Sequence, residues 1–194
     1  VDLVEEGILT KEEAVLKVEP QALDQLLHPI FEPKERAKAE IAAKGLPASP
    51  GAATGALVFT ADEAVAWSQK GKRVLLVRME TVPDDIHGMM ASQGILTARG
   101  GLVSHAAVVA RGWGTPAIVG AEEVKIHGKQ FTVRDTVVKE GDVISLDGTT
   151  GEVVLGAMEL RAAEPPPEFE TILKWADVVR KGKLGPGQMI AADL

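Results

Sequence analysis

Cysteine is absent from the 194 residues, so neither disulfides nor thiolate metal ligands enter the chemistry of this chain. Long apolar runs are absent too. No stretch approaches the roughly 18 residues that a membrane helix needs, and the first residues, VDLVEEG, lack the basic start and apolar centre of a signal peptide. Positive charge is scarce: 21 Lys and Arg stand against 28 Asp and Glu, giving a net charge of −7. That balance argues against a nucleic-acid backbone or an anionic membrane as partner, since both call for clustered cations. A small anion held locally remains compatible with it. The expected location is cytoplasmic, and a chain opening on Val1 rather than Met is expected to be a piece of a longer protein.

What is present is one distinctive stretch, TARGGLVSHAAVVARGWGTPAIVG, from Thr97 to Gly120. Ile95, Leu96 and Thr97 end a short apolar run, Gly100 and Gly101 let the chain turn, and Ser104 stands where a helix cap is wanted before Ala106 to Arg111. The pattern predicts strand, glycine turn and helix start. His105 then falls in the first helical turn, where unpaired N–H groups and the positive end of the helix dipole favour phosphoryl oxygens. The same positive end disfavours imidazolium, and a neutral ring nitrogen is able to attack phosphorus. Spacing alone leaves a second reading open, in which His105 merely caps or packs at a helix start. The other histidines have no such setting: His28 precedes Pro29, His87 lies in an acidic turn, His127 precedes Gly128, and no two have metal-ligand spacing.

Taken in order, the chain predicts a capping box at Thr10 and Glu13 opening a helix over residues 11–18, then a second helix over 21–27. Residues 37–44 read as a helical tether. From Gly45 the pattern becomes interleaved. Strands are predicted at 56–60, 74–77, 95–97, 117–119, 131–133, 137–138, 143–146 and 153–155, all continuing one sheet, with helices over 62–69 and 83–90. Met89 and Met90 are expected to pack on the sheet, and Asp84 and Asp85 beside Pro83 read as a helix start rather than a metal site. Pro165, Pro166 and Pro167 stiffen an extended connector before a helix over 170–180. The fold class is α/β, in three segments: a helical portion with linker (1–44), a compact domain (45–160) and a Pro-rich connector (161–194).

GGLVSHAAVVARG, Gly100 to Gly112, closely resembles the phosphohistidine signature of the enzymes that use phosphoenolpyruvate: pyruvate phosphate dikinase, phosphoenolpyruvate synthase and enzyme I of the sugar phosphotransferase system. ETVPDDIHGMMASQGILTARGG (80–101), DLVEEGILTKEEAVLKVEPQALDQLLHP (2–29) and GLPASPGAATG (45–55) look most like the dikinase branch. GTPAIVG (114–120) is closer to the synthases. The resemblance implies a swivelling β/β/α phosphohistidine domain with helical flanking segments. His105 would be the phosphoryl carrier in an enzyme that interconverts ATP, phosphate and pyruvate with AMP, pyrophosphate and phosphoenolpyruvate. Residues 1–44 would close the ATP-binding region, and residues 161–194 would lead toward a phosphoenolpyruvate and pyruvate domain. Mg2+ would be bound in those neighbouring domains, this chain holding no metal, and the whole enzyme would be a homodimer. A carrier of the synthase or enzyme I type, or a stand-alone interaction domain, is the alternative.

The resemblance also marks support residues. Gly100 and Gly101 suit close approach to phosphate or mark only a turn, and Ser104 caps the helix, orients the ring or contacts phosphate. Thr97 and Arg99 fall at motif positions; the forked donors of Arg99 suit a transferring phosphoryl group, or the side chain is simply solvated. Arg111 reads as the signature's terminal arginine or as a helix-end cation. Two positions before the histidine the signature usually carries threonine or another small polar residue, and this chain has Val103. In plant dikinases that threonine is a regulatory phosphorylation target, so such control is not expected here.

Overall fold

The computed structural model describes residues 1–183 apart from 20–22 and 24–25, so most of the helix expected over 21–27 and the tail from 184 lie outside the described residues. The chain divides into two units, one of residues 28–163 and one of the remaining segments at either end.

The larger unit is built on a sheet whose centre is parallel: β4 (Ala52–Val58), β5 (Val74–Arg78), β6 (Gly94–Thr97) and β7 (Ala117–Val119). Parallel neighbours need a crossover, and the sequence supplies one helix for each: Ala61–Gln69, Ile86–Ala91 after a 3-10 turn at Pro83–Asp85, and His105–Trp113. Antiparallel strands complete the sheet, with β3 (Leu46–Ser49) on β7, and β11 (Val143–Asp147), β12 (Glu152–Leu155) and β2 (Ile41–Lys44) beyond β4. The eight strands therefore run in the order β2-β12-β11-β4-β5-β6-β7-β3.

Alternation along β5 shows how the layers are built. Val74 and Leu76 face a core with Ala64, Met89, Ala106, Ala107 and Ala110 of the three helices. Leu75 and Val77 face the opposite core, which holds Phe131, Val133 and Val138. Those three belong to a second sheet, made of β8 (Lys125–Ile126), β9 (Gln130–Val133) and β10 (Thr136–Lys139) with β9 in the middle. A strand covered on both faces has no polar side to display, hence the unbroken apolar run. The unit is thus layered as small sheet, large sheet and helices, a β/β/α arrangement.

Several sequence expectations change. Residues 131–133 and 137–138 do not continue the main sheet but form the separate layer. Residues 41–44 are not helical: the helix there is only Pro33–Arg36, and Ile41–Lys44 pairs with β12. Alanine's helix propensity is overridden by the apolar face that Ala42 and Ala43 bury. Leu46–Ser49, for which no strand is predicted, is an edge strand that tolerates Pro47. Met89 is fully buried but Met90 is 68% exposed, because adjacent helical positions point in different directions. A short pair, β1 (Ile30–Phe31) with β13 (Leu160–Arg161), joins the two ends of the unit.

The smaller unit is helical: Asp2–Glu5, Lys11–Lys17 and Pro167–Lys183. The capping box is formed as expected. Glu13 N–H donates to Thr10 Oγ1 at 3.2 Å and Thr10 N–H donates to Glu13 Oε2 at 2.9 Å, and Lys11 Nζ lies 5.8 Å from the Trp175 ring centre. Among the described residues no helix is long and apolar enough to cross a membrane.

Candidate functional site: a histidine at the carboxyl ends of two parallel strands

The carboxyl ends of β5 and β6 continue side by side beyond the sheet. Ala98 N–H donates to Arg78 O at 3.1 Å and Arg99 N–H to Met79 O at 2.9 Å, so the two loops are held together by backbone bonds. Arg78 braces the first loop, its Nε donating to Asp85 Oδ2 at 3.3 Å and its Nη1 to Phe59 O at 3.1 Å, while Val82 N–H donates to the same Asp85 oxygen at 3.0 Å. Thr81 is thereby fixed and nearly buried.

His105 is the first residue of its helix. Ser104 caps that helix, accepting from Ala107 N–H at 3.4 Å, and its own N–H donates to Gly101 O at 2.9 Å. The His105 ring places Nδ1 3.0 Å from Thr81 Oγ1, the direction of that hydrogen bond being set by the tautomer. When Nδ1 carries the proton and donates to Thr81, the lone pair is on Nε2. Glu80, Thr81, Thr97, Arg99, Gly100, Ser104, His105 and Ala106 surround an open cleft of about 210 Å3.

The glycine turn has a steric reason. Gly100 has φ +103°, and a Cβ on the facing Gly120, itself at φ +64°, would sit 2.7 Å from Gly100 O. The loop therefore folds against the start of the segment after β7 only where side chains are missing. Beyond this turn Arg111 reaches back, Nε donating to Ala107 O at 3.2 Å and Nη2 to Leu102 O, which ties the loop to its helix.

Comparison with known proteins reaches the same segment. Residues 70–151 match the family described as PEP-utilising enzyme, mobile domain. The chain is 52% identical over 186 residues to pyruvate, phosphate dikinase 1, chloroplastic, of Arabidopsis thaliana, covering 95% of this chain and 19% of that protein. It is also 52% identical over 185 residues to the pyruvate, phosphate dikinase of Clostridium symbiosum, covering 94% and 21%. A solved NMR structure of enzyme I (nEIt) is 24% identical with a TM-score of 0.33, over 56% of this chain and 38% of that one. The chain resembles pyruvate, phosphate dikinases along nearly all its length and spans about a fifth of theirs.

Within the larger unit the structure gathers most of the residues singled out from sequence. Thr97, Arg99, Gly100, Ser104 and His105 share the cleft. Thr97 is a buried brace, its hydroxyl donating to Arg99 O at 2.7 Å. Arg99 is exposed and lines the cleft. Gly101 lies outside the cleft wall and serves through its carbonyl. Val103 is 91% exposed and does not line the cleft, so the missing hydroxyl leaves the ring's surroundings intact. Arg111 acts on backbone carbonyls rather than on the cleft. Thr81 and Glu80 were not singled out from sequence; the signal that finds them is position, since ligands in α/β sheets gather beyond the carboxyl ends of parallel strands.

Proposed function

We propose that His105 is a phosphoryl carrier in a larger enzyme that interconverts ATP, phosphate and pyruvate with AMP, pyrophosphate and phosphoenolpyruvate. The observation that carries the reading is the Thr81–His105 contact at a capped helix N-terminus facing an open cleft. With Nδ1–H donating to Thr81 Oγ1, the Nε2 lone pair attacks the phosphorus of phosphoenolpyruvate. The bond from phosphorus to the enol oxygen breaks, the enolate leaves and takes a proton to become pyruvate, and Nδ1 keeps its own proton on Thr81. Helix N–H groups and Arg99 offset the charge of the transferring group. Reversal returns the phosphoryl group to an enolate, and the ATP-dependent half of the cycle charges the same nitrogen.

In this proposal the flanking segments 1–44 and 161–194 belong to the ATP-binding side and to the connector toward the phosphoenolpyruvate and pyruvate domain. Ile41–Lys44 is counted with the carrier because of its sheet pairing. Magnesium is assigned to those neighbouring domains, since the His105 cleft offers a cation one carboxylate, that of Glu80. A homodimeric whole enzyme and a cytoplasmic location complete the proposal on the strength of the family resemblance.

The test is transfer of label from [32P]phosphoenolpyruvate in the full-length enzyme containing this chain. Wild type is expected to take up acid-labile phosphate and His105→Ala to take up none. Equal labelling of the two proteins sinks the carrier reading, and complete dikinase turnover by the 194 residues alone contradicts the division of labour between domains.

A further inference from the structure

A second cleft of the unit is remote in lining from His105 and independent of the carrier reading. About 600 Å3 in volume, it lies between the Glu35–Ala42 segment, the turn joining β9 to β10, and the end of β12, and it shares no residue with the 210 Å3 cleft around the histidine. Its size falls within the range of small-molecule sites, roughly 300–1,000 Å3. Ala42, Val133, Val154 and Met158 make an apolar floor, each no more than 7% exposed.

Two backbone irregularities converge on this cleft. The β12–β2 register shifts between Val153 and Val154, which pair with Ala43 and Ile41 and leave Ala42 unmatched on the floor. Arg134, at φ +51°, is the one non-glycine residue with positive φ among the described residues, and it stands on the rim. Bulges and left-handed non-glycine residues persist where the surroundings hold them, and they concentrate at binding sites.

The rim charges define what fits. Glu35 directs Oε2 to Glu159 N–H at 2.8 Å, away from an incoming group. Glu40, 93% exposed, approaches Arg134 only at 3.9 Å, the length of a loose, solvated pair. The Lys38 side chain makes no hydrogen bond or ion pair among the described residues, its backbone N–H alone donating, to Glu35 O at 3.0 Å. Two cations thus stand over an apolar floor, with one acid turned inward to backbone and the other weakly engaged. We propose that this cleft binds a small monocarboxylate with an apolar body, the chain lying on Met158 and Val154 and the carboxylate between Lys38 and Arg134.

Octanoate is the probe, titrated into the uniformly 15N-labelled 194-residue chain and followed by amide shifts, with 1-octanol and acetate as partial mimics. Saturable shifts confined to residues 38–42, 133–136 and 154–158 are expected for octanoate, with both mimics at least about tenfold weaker, a loss of about 1.4 kcal/mol. The double variant Lys38→Glu/Arg134→Glu, on exposed side chains, is expected to weaken octanoate about tenfold or more. Thr136→Trp on the rim is expected to block it, and His105→Ala to leave it unchanged. Absence of saturation, shifts centred elsewhere, or full affinity in the charge-reversed variant overturns the proposal, whatever becomes of the phosphoryl-transfer test.

Discussion

In the parallel half of the sheet, each of β4, β5 and β6 hands over to a helix that must cross back, so the carboxyl ends of β5 and β6 open into loops carrying Thr81, Arg99 and His105. In the antiparallel half, β11 and β12 are joined by a short turn over residues 148–151 whose polar groups are spent on itself and its neighbours. Gly151 N–H donates to Asp147 O at 2.8 Å, Thr149 N–H to Asp147 Oδ1 at 2.9 Å, and Gly148 N–H to Gly51 O at 2.7 Å. The β5 and β6 loops therefore leave groups over for chemistry at His105, and the β11–β12 turn spends its own on holding the sheet. Crossover topology creates the site, and hairpin topology supplies the platform.

Substitutions on either side sharpen that contrast. The largest effect is expected on the platform: a Cβ at Gly148 would lie 2.0 Å from Ser49 O and 3.0 Å from Ala117 N, both backbone atoms that cannot step aside. Gly148→Ala should cost about 3 kcal/mol, as overpacking of fixed groups does, read as a lower urea midpoint while labelling per folded molecule stays unchanged. A labelling defect without loss of stability would erase the distinction between platform and site.

On the site side, Thr81→Val keeps the volume and removes the hydroxyl at 3.0 Å from His105 Nδ1. Labelling should slow roughly tenfold, the equivalent of about 1.4 kcal/mol in the barrier, with little change in Tm. An unchanged rate would leave Thr81 a packing residue only. Ser104→Ala removes a long cap bond and should cost about 0.5–1 kcal/mol of stability in urea unfolding.

The smallest effect is expected where the small sheet meets the helix Ala61–Gln69. Lys129 Nζ there pairs with Glu63 and, at 3.0 Å, with Glu140, whose Oε2 is buried with no hydrogen-bond partner among the described residues. Burial, reinforced by Glu63, raises the Glu140 carboxyl above the ordinary value of 4.5, so its ionisation works against folding as pH rises through the raised value. Glu140→Gln should therefore unfold at a slightly higher temperature than wild type at about pH 7–8, the gap closing below about pH 4.5. Glu63 works in the other sense: although burial opposes it, bonds from Lys129, Glu140 and Thr60 lower its carboxyl, and its contribution is lost as pH falls through that lowered value. A gap that widens in acid would reverse the assignment.

The part of this molecule written most plainly in the sequence was the local chemistry around His105. Small and turn-forming residues between a strand and a helix cap can be read from Gly100 to Ser104 without knowing the fold, and Val74 to Val77 announces a strand covered on both faces. What needed the structure was partnership at a distance. Nothing near Thr81 says that its hydroxyl meets a ring 24 residues away, and strand patterns at 131–133 and 137–138 do not say which of two sheets they join. The stretch Ile41–Lys44 misleads differently: Ala42, Ala43 and Lys44 have helical propensity, and the burial offered by β12 decides against it.

The most direct test of the central claim is the nitrogen that carries phosphorus. The full-length enzyme, with [15N]histidine and charged from phosphoenolpyruvate, should show by NMR a phosphoryl group on Nε2 of His105 with Nδ1 still protonated toward Thr81. Phosphorus on Nδ1, or on any residue other than His105, would contradict it.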